Sequence, residues 1–304
     1  MTAQRTPSVV STSRPGAAFK RLWDKEWLSA YRFLVVPLSV LILIKLYPFA
    51  YNFVLSLTDG GFLDPLTFVG LEHFRELAGD QTIRNATYNT LYLTALVVPL
   101  GTALSLGAAV VVNERFPGRA VVRLGYVLPM VTSVVVGSMV WELIYLPRGG
   151  LFNTIAGTQG VDWLQTPHLA LPSVALVILW STVGLNVLVF LASLQDISPD
   201  LLDSAAIDGA NRLQQFIYVT LPGIRRTLLF VVATLTIVVF RSFGVIFVLT
   251  QGGPVQRTNT LVWEVYLNAF SYLRFNRAAA LSVVMVVIIL VITFFYFRFL
   301  RSDD

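Results

Sequence analysis

The 304-residue chain contains no cysteine, which removes disulfides and thiolate metal sites from consideration. Histidine is nearly absent as well: His73 and His168 lie far apart in polar, loop-like sequence, so a histidine metal site is not expected. Charge is scarce, at 13% of residues, where a soluble domain carries roughly a quarter. With 56% hydrophobic residues and a mean hydropathy of +0.72, the deficit points to a lipid bilayer as the solvent. There is no GxxxxGK[ST] phosphate loop and no evident nucleophile–base set, so covalent chemistry on this chain is not expected. The net charge of +5 comes without a long basic run interleaved with aromatics, and nucleic acid is not the expected partner.

What is there is apolar length. Six stretches reach the roughly 20 residues that a membrane-spanning helix needs: Phe33–Leu57, Thr87–Asn113, Leu124–Leu146, Leu171–Gln195, Thr227–Thr250 and Ala278–Leu300. None alternates with period two, so the expected fold is an all-α integral membrane bundle over residues 33–300 rather than a barrel. With the N-terminus inside, fourteen Lys and Arg residues fall in cytoplasmic segments and six in outer loops. That bias predicts both termini, including 301–304, on the cytoplasmic side of the plasma (inner) membrane. The tail, residues 1–32, places Phe19, Leu22, Trp23 and Trp27 at helical spacing among basic residues, the pattern of an interfacial helix. No loop exceeds about thirty residues, too few for a catalytic domain.

Within the spans, Gly101, Ala103, Ser105 and Gly107 suggest a small-residue face for close helix approach. Pro37, Pro99, Pro129 and Pro172 are expected to bend or interrupt helices. Three ionisable residues lie at membrane depth: Lys45, Glu142 and Arg241. Such residues are costly in lipid and mark a partner or a pathway. Two readings stand: an Arg241–Glu142 ion pair with Lys45 snorkelling to an interface, or a cation facing a water-filled path and an anionic substrate. Asn89, Trp180 and Asn186 are further candidates for lining that path.

The loop at residues 196–226 is polar yet patterned. Ser198, Pro199 and Asp200 make a helix start, with Pro at the first helical position. Leu201, Leu202 and Ala205 form a short apolar stripe, Asp200, Asp203 and Asp208 stay polar, and Gly209 can end the helix. A helix this short is marginal alone. Its acids disfavour the negative cytoplasmic leaflet, so a protein groove is the better docking surface.

Asp203, Ser204 and Ala205, then Gly209, Val219 and Leu221-Pro222, keep the spacing E-A-A-x3-G-x9-I-x-L-P. On these residues the chain resembles the permease subunits of ATP-binding-cassette importers. Asp for Glu, Ser for Ala and Val for Ile preserve charge, size and shape. YPFAYNFVLSLTD, FVGLEHFREL, LPRGGLFN and FVLTQGGP are similar to the carbohydrate branch of that family. Many sugar permeases carry an Asp where Gly244 stands, whereas SFGVI followed by TQGGPVQ looks more like permeases for glycerol-3-phosphate and its diesters.

The resemblance implies a type I importer permease fold of six transmembrane helices, coupled to its motor through Asp200, Leu201, Asp203, Ser204, Ala205, Asp208, Gly209, Leu221 and Pro222. It implies as partners a second permease subunit, two copies of an ATPase subunit, and an extracytoplasmic substrate-binding protein. ATP and Mg would sit on the ATPase, with no cofactor in this chain. The implied cargo is glycerol-3-phosphate or a glycerophosphodiester, with a sugar or oligosaccharide as the alternative. An ion-coupled secondary transporter would need inverted repeats and midplane acids, and a lipid-modifying enzyme a His or carboxylate cluster at one interface. Neither pattern is evident in the sequence.

Overall fold

The computed structural model describes residues 31, 33–60, 65–114, 117–158 and 160–300. The expected interfacial helix around Phe19–Trp27 and the segment 301–304 lie outside them. The chain divides into two compact units, one through Val54 and one from Leu55 onward. The first contains most of α1, Phe33–Ser56, an apolar helix with a π-helical turn at Ile42–Leu46 that carries Lys45.

The second unit opens with a two-stranded antiparallel ribbon, β1 at Thr58–Asp59 and β2 at Thr67–Phe68, with Thr58 opposite Phe68. Then come α2, Glu72–Gly79, and α3, Gln81–Asn113. Asp80 starts α3 by accepting the Thr82 N–H at 2.8 Å. The helix therefore begins six residues before the apolar run does. Its 33 residues span about 50 Å, more than a hydrocarbon core of about 30 Å.

Two expected spans are interrupted. Residues expected as one helix, Leu124–Leu146, form α4, Arg119–Val131, and α5, Val134–Ile144, which meet at a bend of 109°. Pro129 removes a backbone donor just before the bend, and Thr132 and Ser133 take extended ψ values of 135° and 132°. After α6, Leu151–Ala156, and the long α7, Ala170–Gln195, come the short helices α8, Pro199–Ile207, and α9, Arg212–Gln215. A π turn and Leu221–Gly223 then lead to α10, Arg225–Phe240, across a 71° bend at the buried Ile224. The expected span Thr227–Thr250 is broken at Arg241–Ser242, and α11 resumes at Phe243–Leu249. After α12, Leu261–Tyr266, α13 runs from Phe275 to Leu300. Among the described residues, α1, α3, α7 and α13 are long and apolar enough to cross a membrane unbroken. Two bent helix pairs raise the number to six if each crosses once.

The core is organised on α3 and α7. Leu93 and Val97 of α3 pack with Val174, Ile178 and Leu179 of α7 and with Val245 and Ile246 of α11. Val98, Ala109 and Val112 join Val187, Phe190 and Leu235 in a second cluster. Gly101 sits where a β-carbon would lie 3.1 Å from Leu179 Cδ2 and 3.2 Å from Leu235 Cδ1, and Ser105 is buried beside it. Ala103 and Gly107 are exposed. The expected small-residue face is thus two faces, because residues two apart lie about 200° round a helix.

A closer approach occurs at Gly184. A β-carbon there would lie 1.9 Å from the Tyr126 carbonyl oxygen, so the α4 backbone rests directly on α7.

Candidate functional site

The two interruptions share one cavity. It holds about 430 Å3 and is lined by Pro129, Met130 and Thr132 at the end of α4 and Val134 at the start of α5. Ile178, Ser181 and Thr182 of α7, Ile237 and Val238 of α10, then Arg241, Ser242, Gly244 and Val245 complete it. The backbone explains why Arg241 is there. Its N–H closes α10 on Ile237 and Val238, each at 3.1 Å, which sets the cation at the negative end of the helix. The hydroxyls are oriented locally. Ser181 and Thr182 donate to the Ile178 carbonyl at 2.9 and 2.7 Å, Thr132 to Leu128 at 2.9 Å, and Ser242 to Val239 at 2.6 Å. With their protons committed to the backbone, these oxygens keep lone pairs available as acceptors. Among the described residues the cavity thus offers one guanidinium, four hydroxyl oxygens and an apolar remainder, with no carboxylate in its lining.

Arg241 is exposed and is not paired with Glu142. The ion pairs among the described residues lie elsewhere, joining Arg277 to Asp80 and Glu76 and Arg212 to Glu114, while the His73 ring lies 3.9 and 3.8 Å from the carboxylates of Asp59 and Glu76. The ion-pair reading had Arg241 and Glu142 staple their spans together, but both spans are broken, with Glu142 beyond one break on α5 and Arg241 at the other. Glu142 is exposed on α5 and does not line the cavity. Lys45 is exposed in the first unit.

The remaining path candidates serve other contacts. Asn89, 6% exposed, donates through Nδ2 to the carbonyls of Gln256 and Asn259, both at 2.8 Å, and so clamps a distant loop. Trp180 meets Trp141 edge-on, with centroids 5.9 Å apart, and covers Gly137. Asn186 is buried and donates to the Thr182 carbonyl at 3.1 Å, one turn from the cavity wall. Sequence reasoning missed Thr132, Ser181, Thr182 and Ser242. The signal lay in Pro129 followed by Thr132-Ser133, and in Ser242 and Gly244 beside Arg241.

The α8 region folds largely as its sequence suggests. Ser198 has cap geometry without a side-chain bond, Pro199 is the first helical residue, and Asp200 lies in the first turn. The stop is a Schellman motif: Gly209 N–H reaches Ala206 at 3.1 Å and Ala210 N–H reaches Ala205 at 2.9 Å. Gly209 takes φ +86°, which favours glycine. Asn211 and Gln214 form a capping box that starts α9. The expected stripe is divided. Leu202 turns inward onto a cavity with Leu194, Ile197 and Phe216, and Ala205 is half-buried. Leu201 is 58% exposed, and Ile207, which sequence reasoning passed over, is 87% exposed.

A helical bundle broken at two places around a cation-bearing cavity, with a capped polar helix set between two of its long segments, has the architecture of a membrane transport subunit. The chain belongs to the family of binding-protein-dependent transport system inner membrane components, whose family model matches residues 101–302. It is accordingly an ATP-binding-cassette importer permease of the type I fold.

It is 30% identical over 280 residues to the sulfoquinovosyl glycerol transport system permease protein SmoG of Agrobacterium fabrum, covering 89% of this chain and 90% of that protein. It is 32% identical over 256 residues to the trehalose/maltose transport system permease protein MalF of Thermococcus litoralis, covering 83% and 85% respectively. The sn-glycerol-3-phosphate transport system permease protein UgpA of Yersinia pestis is 32% identical over 298 residues, covering 96% and 98%. Among solved structures, a chain of a bacterial ABC transporter involved in import of the acidic polysaccharide alginate matches with a TM-score of 0.78 at 25% identity, over 92% of this chain and 98% of that one.

Proposed function

We propose that this chain forms one half of an importer's translocation path, crosses the inner membrane six times with both termini cytoplasmic, and carries an anionic polyol. A second permease subunit supplies the other half. ATP and Mg act on two copies of a separate ATPase subunit, and an external binding protein delivers the cargo. The exposed Leu201 and Ile207 dock in the ATPase, while Asp200, Asp203 and Asp208 keep α8 off the anionic leaflet. The chain itself performs no covalent step. Movement of α8 is passed through Leu221-Pro222 and the bend at Ile224 into α10, whose far end carries Arg241.

The observation that carries the choice of cargo is the lining of the 430 Å3 cavity, where Arg241 stands among hydroxyls without a counter-charge. An unpaired guanidinium favours a phosphate over a neutral hydroxyl group, since hydrogen bonds to charged groups contribute about 1.5–3 kcal/mol. Glycerol-3-phosphate or a glycerophosphodiester fits, in line with the UgpA relative. The trehalose/maltose relative supports a sugar as the second reading. In proteoliposomes holding the assembled transporter, Arg241→Gln is expected to cut glycerol-3-phosphate uptake about tenfold or more and to spare a neutral sugar. Equal loss for both, or for neither, rejects the anionic reading.

A further inference from the structure

A second polar cavity, of about 420 Å3, opens beneath the Gln251–Pro254 turn and shares no lining residue with the Arg241 cavity. That volume is within the range of small-molecule sites. Its charges separate into those already engaged and one that is not. Glu264, 5% exposed, receives the Asn259 amide on Oε1 at 2.7 Å and the Asn268 amide on Oε2 at 3.3 Å. Asp80 pairs with Arg277, which also reaches Glu76 at 3.8 Å. Arg274, exposed on the wall, has no carboxylate within ion-pair reach among the described residues. The side-chain amides of Gln251 and Gln256 and the Tyr272 hydroxyl also line the cavity, and make no side-chain hydrogen bond among the described residues.

The wall is held in shape. Asn89 clamps the carbonyls of Gln256 and Asn259, and Thr258 Oγ1 donates to the Gly253 carbonyl at 2.6 Å. A β-carbon on Gly252 would lie 2.6 Å from Trp263 Nε1, so only glycine lets the turn seat on the indole. Gln251 and Gln256 take left-handed φ values of 49° and 59° at the lip, conformations that side-chain-bearing residues hold only when their surroundings impose them. With the Asp80 and Glu264 carboxylates engaged by Arg277, Asn259 and Asn268, preformed walls that leave one free guanidinium, neutral amides and a phenol suit a polyhydroxylated molecule with a single anionic group. The Arg241 cavity also offers a free guanidinium, with hydroxyls in place of amides and without the engaged carboxylates of Asp80 and Glu264. A ring pair lies between their walls: Phe243, next to Ser242 of the Arg241 cavity, stacks on Trp263 of this one with centroids 6.0 Å apart and planes 20° apart.

We propose that the cavity under the Gln251–Pro254 turn is a second binding station for an anionic polyol, in series with the Arg241 cavity; this rests on the anionic-polyol reading above. Cargo leaving the binding protein is held by Arg274 before it passes inward to Arg241.

The test is equilibrium dialysis of radiolabelled glycerol 3-phosphate against the assembled transporter in nanodiscs, without ATP and without the binding protein. The wild type is expected to bind two equivalents, Arg274→Gln and Arg241→Gln one each, and the double variant none. Arg274→Gln weakens its site about tenfold or more, the effect of removing a charge-assisted hydrogen bond, and Arg274→Lys restores part of it. An Arg274→Gln variant that binds as many equivalents as the wild type overturns the outer station, as does a wild type that binds none. A single wild-type equivalent that Arg274→Gln removes and Arg241→Gln leaves intact overturns the Arg241 reading and upholds this one.

Discussion

Replacing Gly184 with alanine adds one methyl group to the centre of α7, and the structure makes the consequence large. The new carbon would lie 1.9 Å from the Tyr126 carbonyl oxygen and 2.9 Å from the Tyr126 carbonyl carbon. A non-bonded contact of this kind relaxes to a little over 3 Å, so α4 must retreat by about 1.3 Å or α7 must bow. The obstructing atoms are backbone, which has no rotamer to escape into. Overpacking a tight interior typically costs about 1–3 kcal/mol, and a backbone clash belongs at the upper end. Three residues past Tyr126, α4 delivers Pro129, Met130 and Thr132 to the cavity wall, so the retreat also displaces the site. Gly107 on α3 provides the control, because nothing lies within 4 Å of a β-carbon there. Thermal unfolding of the purified transporter, read beside uptake in proteoliposomes, should show Gly184→Ala lowered in both and Gly107→Ala close to wild type. If the two substitutions behave alike, the direct seating of α4 on α7 is wrong.

Two further outcomes follow from the loops. Gly209→Ala keeps φ +86° only at a cost of about 1–2 kcal/mol. It should loosen the α8 stop and uncouple ATP hydrolysis from uptake, whereas Gly209→Asn should retain more coupling because Asn tolerates that conformation; hydrolysis and uptake measured on the same vesicles distinguish them, and full coupling in Gly209→Ala refutes the account. Burial alone would raise the Asp80 carboxyl, but the Thr82 N–H and Arg277 outweigh it and hold it below the usual carboxylate value. A depressed folded value means that Asp80 contributes stability above the unfolded pKa and loses it as pH falls through the folded one. Arg277→Met should therefore move the acid side of a melting-temperature profile, taken between about pH 6 and pH 3, to higher pH, and an unshifted profile would remove Arg277 from the explanation.

Local signals survived translation into structure better than distant ones. Pro199 and Gly209 act within a few residues of chain, and α8 begins and ends where those residues say. The apolar runs were equally legible, because a long stretch without charge has few alternatives to a helix. The interruptions at Thr132–Ser133 and Arg241–Ser242 were harder. Their sequences remain apolar enough for hydropathy to read as helix, and the cue lay instead in Pro129 before Thr132-Ser133 and in Ser242 and Gly244 beside Arg241.

The same limit governs the polar residues of the spans. Asn89 and Arg241 look alike to a hydropathy reading, each a polar residue inside an expected span. Asn89 is consumed by carbonyls 167 and 170 residues away, while Arg241 is engaged among the described residues only through its backbone, its N–H on Ile237 and Val238 and its carbonyl accepting the Phe243 N–H at 2.8 Å. A buried side chain whose donors are all matched is structural, because a ligand would have to compete with a bond already made at no cost in ordering. One left unmatched at the wall of a cavity has its binding energy still to give. By that criterion Arg241 and Arg274, both exposed at cavity walls, are the positions we propose for contact with cargo, and Asn89 holds in place the loop beside the second of them.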